Sequence, residues 1–181
     1  MSNYFVVIRD YQDKSTHITN EFNTTDNCLL FIQEYYEEFI YKKQDKPEGR
    51  TLMLTSSVSG EGKTFCAINI ATVYALSGKK TILLGLDLRK PKIFGDFDIT
   101  NETGIVNYFI GEEDFESVIH KTHIENLDIV PSGPIPPNPS ELLMGKRFQD
   151  ILVSINSIYD YVLIDTPPIL AVTDPAIVAK Y

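Results

Sequence analysis

Thr51-Leu-Met-Leu-Thr-Ser-Ser-Val-Ser-Gly-Glu-Gly-Lys-Thr64 is the stretch that decides the fold. Thr51 to Thr55 is short, apolar and bounded, the pattern of a strand covered on both faces in a parallel sheet. Ser56 to Lys63 is a Gly/Ser loop. Thr64 opens a helical run to about Ser77, with Gly78 as its stop. Cys66, Ile70, Val73 and Leu76 recur along it at helical spacing, which predicts one buried face. Strand, loop and helix in this order make a cradle for anions. Consecutive amides in such a loop point inward, and the helix N-terminus adds about half a positive charge. Gly60 and Gly62 permit turns that a side chain would hinder. Lys63 can reach the outer phosphates of a nucleotide, and Thr64 can place its hydroxyl on Mg²⁺. The strict Gly-x-x-x-x-Gly-Lys-Ser/Thr pattern starts one residue off, because Ser57 stands at its first glycine. The plain alternative is a Gly/Ser turn beside a surface lysine.

Outward from this unit, strands alternate with helices. Thr81–Leu84, Leu127–Val130 and Tyr161–Ile164 read as further buried strands. Asp87 to Thr100 is a polar loop. Short helices are predicted near Gly104–Ile110 and Phe115–Lys121. Asn138 is placed to cap a helix with Pro139 in its first turn. Leu142, Phe148, Ile151, Leu152, Ile155 and Tyr159 continue that helical stripe, and Gly145 divides it in two. A last helix begins near Asp174–Pro175. Tyr4–Ile8 has the pattern of a strand, and Thr25–Lys43 that of a helix carrying Leu29, Ile32, Tyr36, Phe39 and Ile40. The fold class is therefore α/β, a doubly wound and mostly parallel sheet with helices on both faces. The domain reading is an N-terminal extension with one helix over 1–50 and a nucleotide-binding domain over 51–181.

Composition agrees and excludes other classes. The chain has 181 residues, 43% hydrophobic and 23% charged, enough for one domain with a core. Its longest apolar runs, such as Tyr4–Ile8 and Cys28–Ile32, fall far short of the roughly 18–20 residues a membrane span needs. Cys28 and Cys66 make no disulfide framework, and Cys66 reads as a buried thiol. A formal charge of −9 argues against non-specific nucleic-acid binding. No secretory signal opens the chain, and the cytoplasm is the expected compartment.

Ligands of such sheets sit at the carboxyl ends of the strands. Two of those ends carry carboxylates. Tyr161-Val-Leu-Ile-Asp165 is an apolar strand ending in Asp, the Walker B arrangement, where a carboxylate can hold Mg²⁺. Ile82-Leu-Leu-Gly-Leu-Asp87-Leu-Arg89 is a second. Asp87 can complete the metal shell or accept a proton from an attacking hydroxyl. Arg89 can pair with phosphate or with a carboxylate. Read alone, Asp87 and Arg89 form only a surface ion pair.

Taken together, Thr55–Thr64, Asp87-Leu-Arg-Lys-Pro91, Gly133-Pro-Ile-Pro-Pro-Asn-Pro-Ser-Glu-Leu-Leu143 and Tyr161–Pro168 resemble the bacterial tyrosine kinases of capsule and exopolysaccharide export. These are a branch of the deviant P-loop ATPases. The resemblance implies transfer of the ATP γ-phosphoryl to tyrosine. It implies Lys63, Asp87 and Asp165 as the catalytic set, and Thr64, Asp87 and Asp165 around Mg²⁺. It implies Ser59, Gly60, Glu61, Gly62, Lys63, Thr64 and Phe65 around ATP. It also implies a membrane adaptor or a transmembrane co-polymerase segment as partner, other copies of the chain as substrates, no nucleic acid, and a place at the inner face of the membrane. Three features depart from the family. Gly85 stands where its second motif has a first Asp. Thr25–Lys43 lacks the arginines that the family uses in ring assembly. The family also continues past Walker B with an adenine-contacting segment and a Tyr-rich tail, so a fragment of a longer protein is expected. A partitioning-type ATPase switch is the alternative, although Val58 stands where that class has a lysine. A nucleotide-binding docking module is the other.

Overall fold

The computed structural model describes residues 6–9, 16–18 and 50–181, with residues 6–9, 16–18, Phe94 and Asp96 as backbone only. In chain order the strands are β1 (Val6–Arg9), β2 (Thr16–Ile18), β3 (Arg50–Leu54), β4 (Thr81–Gly85), β5 (His120–Lys121), β6 (Leu127–Val130) and β7 (Tyr161–Asp165). The helices are α1 (Lys63–Leu76), α2 (Ile105–Ile110), α3 (Pro139–Met144), α4 (Lys146–Ile158) and α5 (Asp174–Val178). They form one sheet in the order β2-β1-β3-β7-β4-β6-β5. β3, β7, β4 and β6 are parallel, as the alternation of strands and helices requires.

Both edges of this parallel core are extended by antiparallel strands, β1 on β3 and β5 on β6. The strand expected at Tyr4–Ile8 is found at Val6–Arg9. Residues Phe115–Val118 form only a 3₁₀ turn, and His120–Lys121 pair with β6 where a continued helix was expected. A second 3₁₀ turn, Ile93–Phe97, interrupts the loop after β4. The helix expected at Thr25–Lys43 and the thiol of Cys28 lie outside the described residues.

Every residue of β4 and β7 is buried, because helices cover both faces. Side chains alternate between two cores. On one face Leu52, Leu54, Leu83, Leu127, Ile129 and Leu163 pack against α1. On the other, Ile82, Leu84, Val130, Val162 and Ile164 meet α2, α3 and α4 through Ile105, Phe109, Leu143, Phe148 and Ile155.

The α1 contact corrects one expectation. Its buried residues are Cys66, Ala67, Ile70, Ala71, Tyr74 and Ala75, whereas Val73 and Leu76 are exposed. The inner stripe is built on three alanines, which carry little bulk and let the helix axis approach the sheet. Tyr74 closes it by stacking on Tyr161 with ring centroids 4.0 Å apart. α3 and α4 meet at Gly145, the break expected there. Asn138 takes the N-cap position of α3, but its side chain makes no cap and instead donates to Glu141 at 2.7 Å.

Candidate functional site

β7 lies between β3 and β4, and its last residue, Asp165, is in register with Leu54 and Gly85. This places the loop after β3, the loop after β4 and the end of β7 side by side at one edge of the sheet. A cavity of about 510 Å³ opens there. Ser56, Ser59–Phe65, Asp87, Arg89, Lys90, Lys92, Pro167, Pro168, Ala171 and Val172 supply its walls.

The floor is the loop from Ser56 to Gly62. Gly60 and Gly62 have φ of 91° and 85°, the left-handed region that favours glycine. Gly62 is the N-cap of α1 and gives it no side-chain cap. The amides of the first turn have no intrahelical carbonyl to meet. An uncapped start of a 14-residue helix, facing a cavity, fits an anion. Glu61, placed in the ligand shell by the sequence, turns its side chain the other way. It is buried, and its Oε2 accepts the amides of Ser57 and Val58 at 2.8 and 3.1 Å. The carboxylate braces the loop on the cavity wall.

Lys63, Thr64, Asp87 and Asp165 meet. Lys63 Nζ lies 3.1 Å from Asp165 Oδ1 and 3.6 Å from Asp87 Oδ2. The Thr64 hydroxyl donates to Asp165 Oδ2 at 2.9 Å, so both oxygens of Asp165 are engaged. Burial pushes the Asp165 carboxyl above the usual carboxylate range. The Lys63 charge and the hydrogen bonds from Thr64 and Lys63 offset part of this, and the charge of Asp87 adds to it. Two further bonds lock the end of β7 to the loop after β3. Thr55 donates to the Pro167 carbonyl at 2.9 Å, and Thr166 donates to the Leu54 carbonyl at 2.8 Å. Among the described residues no group of three or more His, Cys, Asp or Glu side chains gathers as a metal site. A hydroxyl and two carboxylates suit Mg²⁺, which keeps waters and takes phosphate oxygens as further ligands.

Asp87 and Arg89 do not pair with one another through their side chains. Asp87 Oδ1 accepts the amides of Arg89 and Lys90 at 3.3 and 3.0 Å. Arg89 forks instead onto Asp174, from Nε at 2.7 Å and Nη2 at 3.1 Å. Asp174 is buried and also accepts the Ser140 hydroxyl at 2.7 Å. Burial alone would raise its pKa. The bonds from Arg89 and Ser140 and the Arg89 charge outweigh that and hold it below the usual range. Ser132 donates to the Gly85 carbonyl at 2.7 Å and more weakly to that of Asp87 at 3.3 Å. A Cβ at Gly85 would meet the Ser132 hydroxyl at 3.2 Å, so serine crowds the place of the absent carboxylate. Asp174 and Ser132 went unnoticed in the sequence. Ser140 lies in the distinctive Pro-Asn-Pro-Ser-Glu-Leu stretch, which was a signal without a role. Ser59 is exposed on the loop, and the half-exposed Phe65 lies on the cavity wall.

A parallel sheet with a glycine loop, an uncapped helix and a Lys/Thr/Asp cluster at its carboxyl edge defines a P-loop ATPase-type domain. Comparison with known proteins narrows the class. A family described as an AAA domain matches residues 49–179. The putative tyrosine-protein kinase CapB of Staphylococcus aureus is 40% identical over 133 residues, which are 74% of this chain and 58% of that protein. The solved kinase domain of the Escherichia coli tyrosine kinase ETK shares 34% identity and a TM-score of 0.75, over 81% of this chain and 57% of that one. The VpsO kinase domain shares 31% and 0.72, over 87% and 80%. The chain belongs to the AAA-domain P-loop family, in the branch of the bacterial tyrosine kinases. It spans little more than half the length of the curated relative.

Proposed function

We propose that this domain transfers the γ-phosphoryl of magnesium-bound ATP to a tyrosine hydroxyl. The observation that carries the reading is Lys63, held between Asp165 and Asp87 at the uncapped start of α1. The first-turn amides and the backbone of Ser59–Gly62 receive phosphate oxygens. Lys63 turns from its carboxylates to the β- and γ-phosphates. Thr64, Asp87 and Asp165 would hold Mg²⁺, which would offset the charge spread over the transferring group. The tyrosine oxygen bonds to the γ-phosphorus as the bond to the β-phosphate oxygen breaks and ADP leaves. Asp87 accepts the phenolic proton, a useful service because tyrosine is mostly protonated at neutral pH. Phe65, exposed on the wall, offers an apolar surface to the nucleotide or the acceptor.

The motifs that resemble those of the capsule and exopolysaccharide kinases imply a membrane-linked partner and acceptor tyrosines on other copies. No described helix is long and apolar enough to cross a membrane. Incubation with γ-labelled ATP and Mg²⁺, followed by phosphotyrosine detection, tests the reading. Labelled tyrosine is the expected result. Free phosphate without labelled protein would favour an ATPase switch. Bound nucleotide with neither product would favour a docking module, a second reading that the missing carboxylate at Gly85 makes specific.

A further inference from the structure

We propose that Asp174 is a positioning residue for this site: through Arg89 it fixes the turn that aims the Asp87 carboxylate at Lys63. The kinetic part of this inference rests on the phosphoryl-transfer reading above, while the structural part does not.

Asp87 is held at three points. Ser132 ties down its carbonyl. The amides of Arg89 and Lys90 hold Oδ1, leaving Oδ2 to face Lys63 at 3.6 Å. That turn is loop backbone on the cavity wall, and its stiffness comes from the side chain of Arg89. The fork from Arg89 to Asp174 uses two parallel N–H bonds, a geometry that restricts both distance and plane. Asp174 is the first residue of α5, buried at 1% exposure. Ser140, in the first turn of α3, donates to the same carboxylate and accepts from Arg89 Nη2 at 3.2 Å. Three segments distant in sequence therefore meet at one carboxylate: the loop after β4, the start of α3 and the start of α5. None of these contacts reaches the Lys63 cluster directly.

This arrangement gives the Pro-Asn-Pro-Ser stretch a physical task. Pro139 starts α3 in its first turn, and that placement presents Ser140 to Asp174. It also explains why Arg89 is not a free phosphate ligand, since its charge is matched by a carboxylate of its own. Misplacement of a catalytic group by about 1 Å can cost about a hundredfold in rate. Asp87 depends on its turn for that precision.

The test compares the wild-type chain with D174N, R89K, S140A and the D174N/R89K double variant. In the nucleotide-free protein, amide hydrogen exchange over 86–92 is expected to speed up about tenfold in D174N. Exchange in β3 and β7 should stay unchanged. In the kinase assay kcat is expected to fall about 10- to 100-fold, with KM for ATP within about threefold. The double variant should be no worse than either single one, because the two residues act as a unit. S140A removes one donor and should shift both readouts in the same direction by less. Unchanged exchange over 86–92 in D174N overturns the proposal. So does a uniform rise across the whole sheet in D174N together with no local effect in S140A, which would mark a purely structural role. A wild-type chain that binds nucleotide but labels no tyrosine overturns the kinase reading instead, and the exchange comparison still decides the placement of the turn.

Discussion

Replacing Lys63 by Met removes the one cation bonded to Asp165 among the described residues and separates two consequences of the same ion pair. The Lys63 and Asp165 side chains are 9% and 2% exposed, so the pair is buried. Breaking a buried pair by removing one partner costs about 3–5 kcal/mol. The lower end applies here, because Asp165 keeps the Thr64 bond and can take up a proton in place of its lost partner. At about 2–4 °C per kcal/mol for a chain of this size, a loss of about 3 kcal/mol lowers the unfolding midpoint by about 6–12 °C. The second consequence appears with ligand. At a hundred times Kd, MgATP stabilises the wild type by about 2.7 kcal/mol, or about 5–11 °C. If the substitution weakens binding a hundredfold, the same concentration yields only about 0.4 kcal/mol. Thermal unfolding of both proteins, with and without MgATP, reads both quantities. A variant that keeps the full nucleotide shift would refute the phosphate role of Lys63. A variant as stable as the wild type without nucleotide would refute the energetic account of the buried pair.

Other substitutions probe the frame around the site. Asp174 is held below its ordinary pKa, so its ionised form stabilises the fold at higher pH, and that contribution disappears as pH falls through the folded value. In urea titrations the stability gap between wild type and D174N should therefore be constant near neutrality and close as pH drops below about 3.9; a gap that widens in acid would contradict this. Gly104→Ala would drive a Cβ into the backbone of Pro131 and Gly133 and should cost about 1–3 kcal/mol in the same titration. An unchanged midpoint would show that the two segments separate freely. Phe148→Ala empties a fully buried position where the ring meets Phe109 and Tyr181 edge-on, and should cost about 3–5 kcal/mol. A loss under about 1 kcal/mol would mean that the core collapses into the space.

The parts legible in the sequence were those fixed by local chemistry. A strand, a glycine loop and Lys-Thr announce themselves because anion binding at a helix start needs those residues consecutively. Asp87 and Asp165 were legible because apolar strands ended on them. What escaped depends on distance through space. The inner face of α1 misled because Val73 and Leu76 outrank alanine in apolarity, whereas close approach to the sheet selects Ala67, Ala71 and Ala75. Glu61 sits inside the motif, yet its side chain serves the loop. Asp174 read as an ordinary helix start, since nothing near it in sequence shows that Arg89 and Ser140 converge on it. β5 is two residues long, too short for any periodic signal.

The position of β7 bears on how the protein is made. The central strand of the sheet follows both of its neighbours in the sequence, and Lys63 and Asp165 are 102 residues apart. Until residues 161–165 have been made, β3 and β4 each lack the neighbour between them and expose hydrogen-bonding edges. Closing so long a loop costs little more than closing one half its length, about 0.6 kcal/mol, but such distant pairings form slowly. An unfinished polypeptide emerging from the ribosome thus carries a phosphate loop without its Walker B carboxylate. The contact of Lys63 with Asp165 arrives in one step, when residues 161–165 slot into the gap.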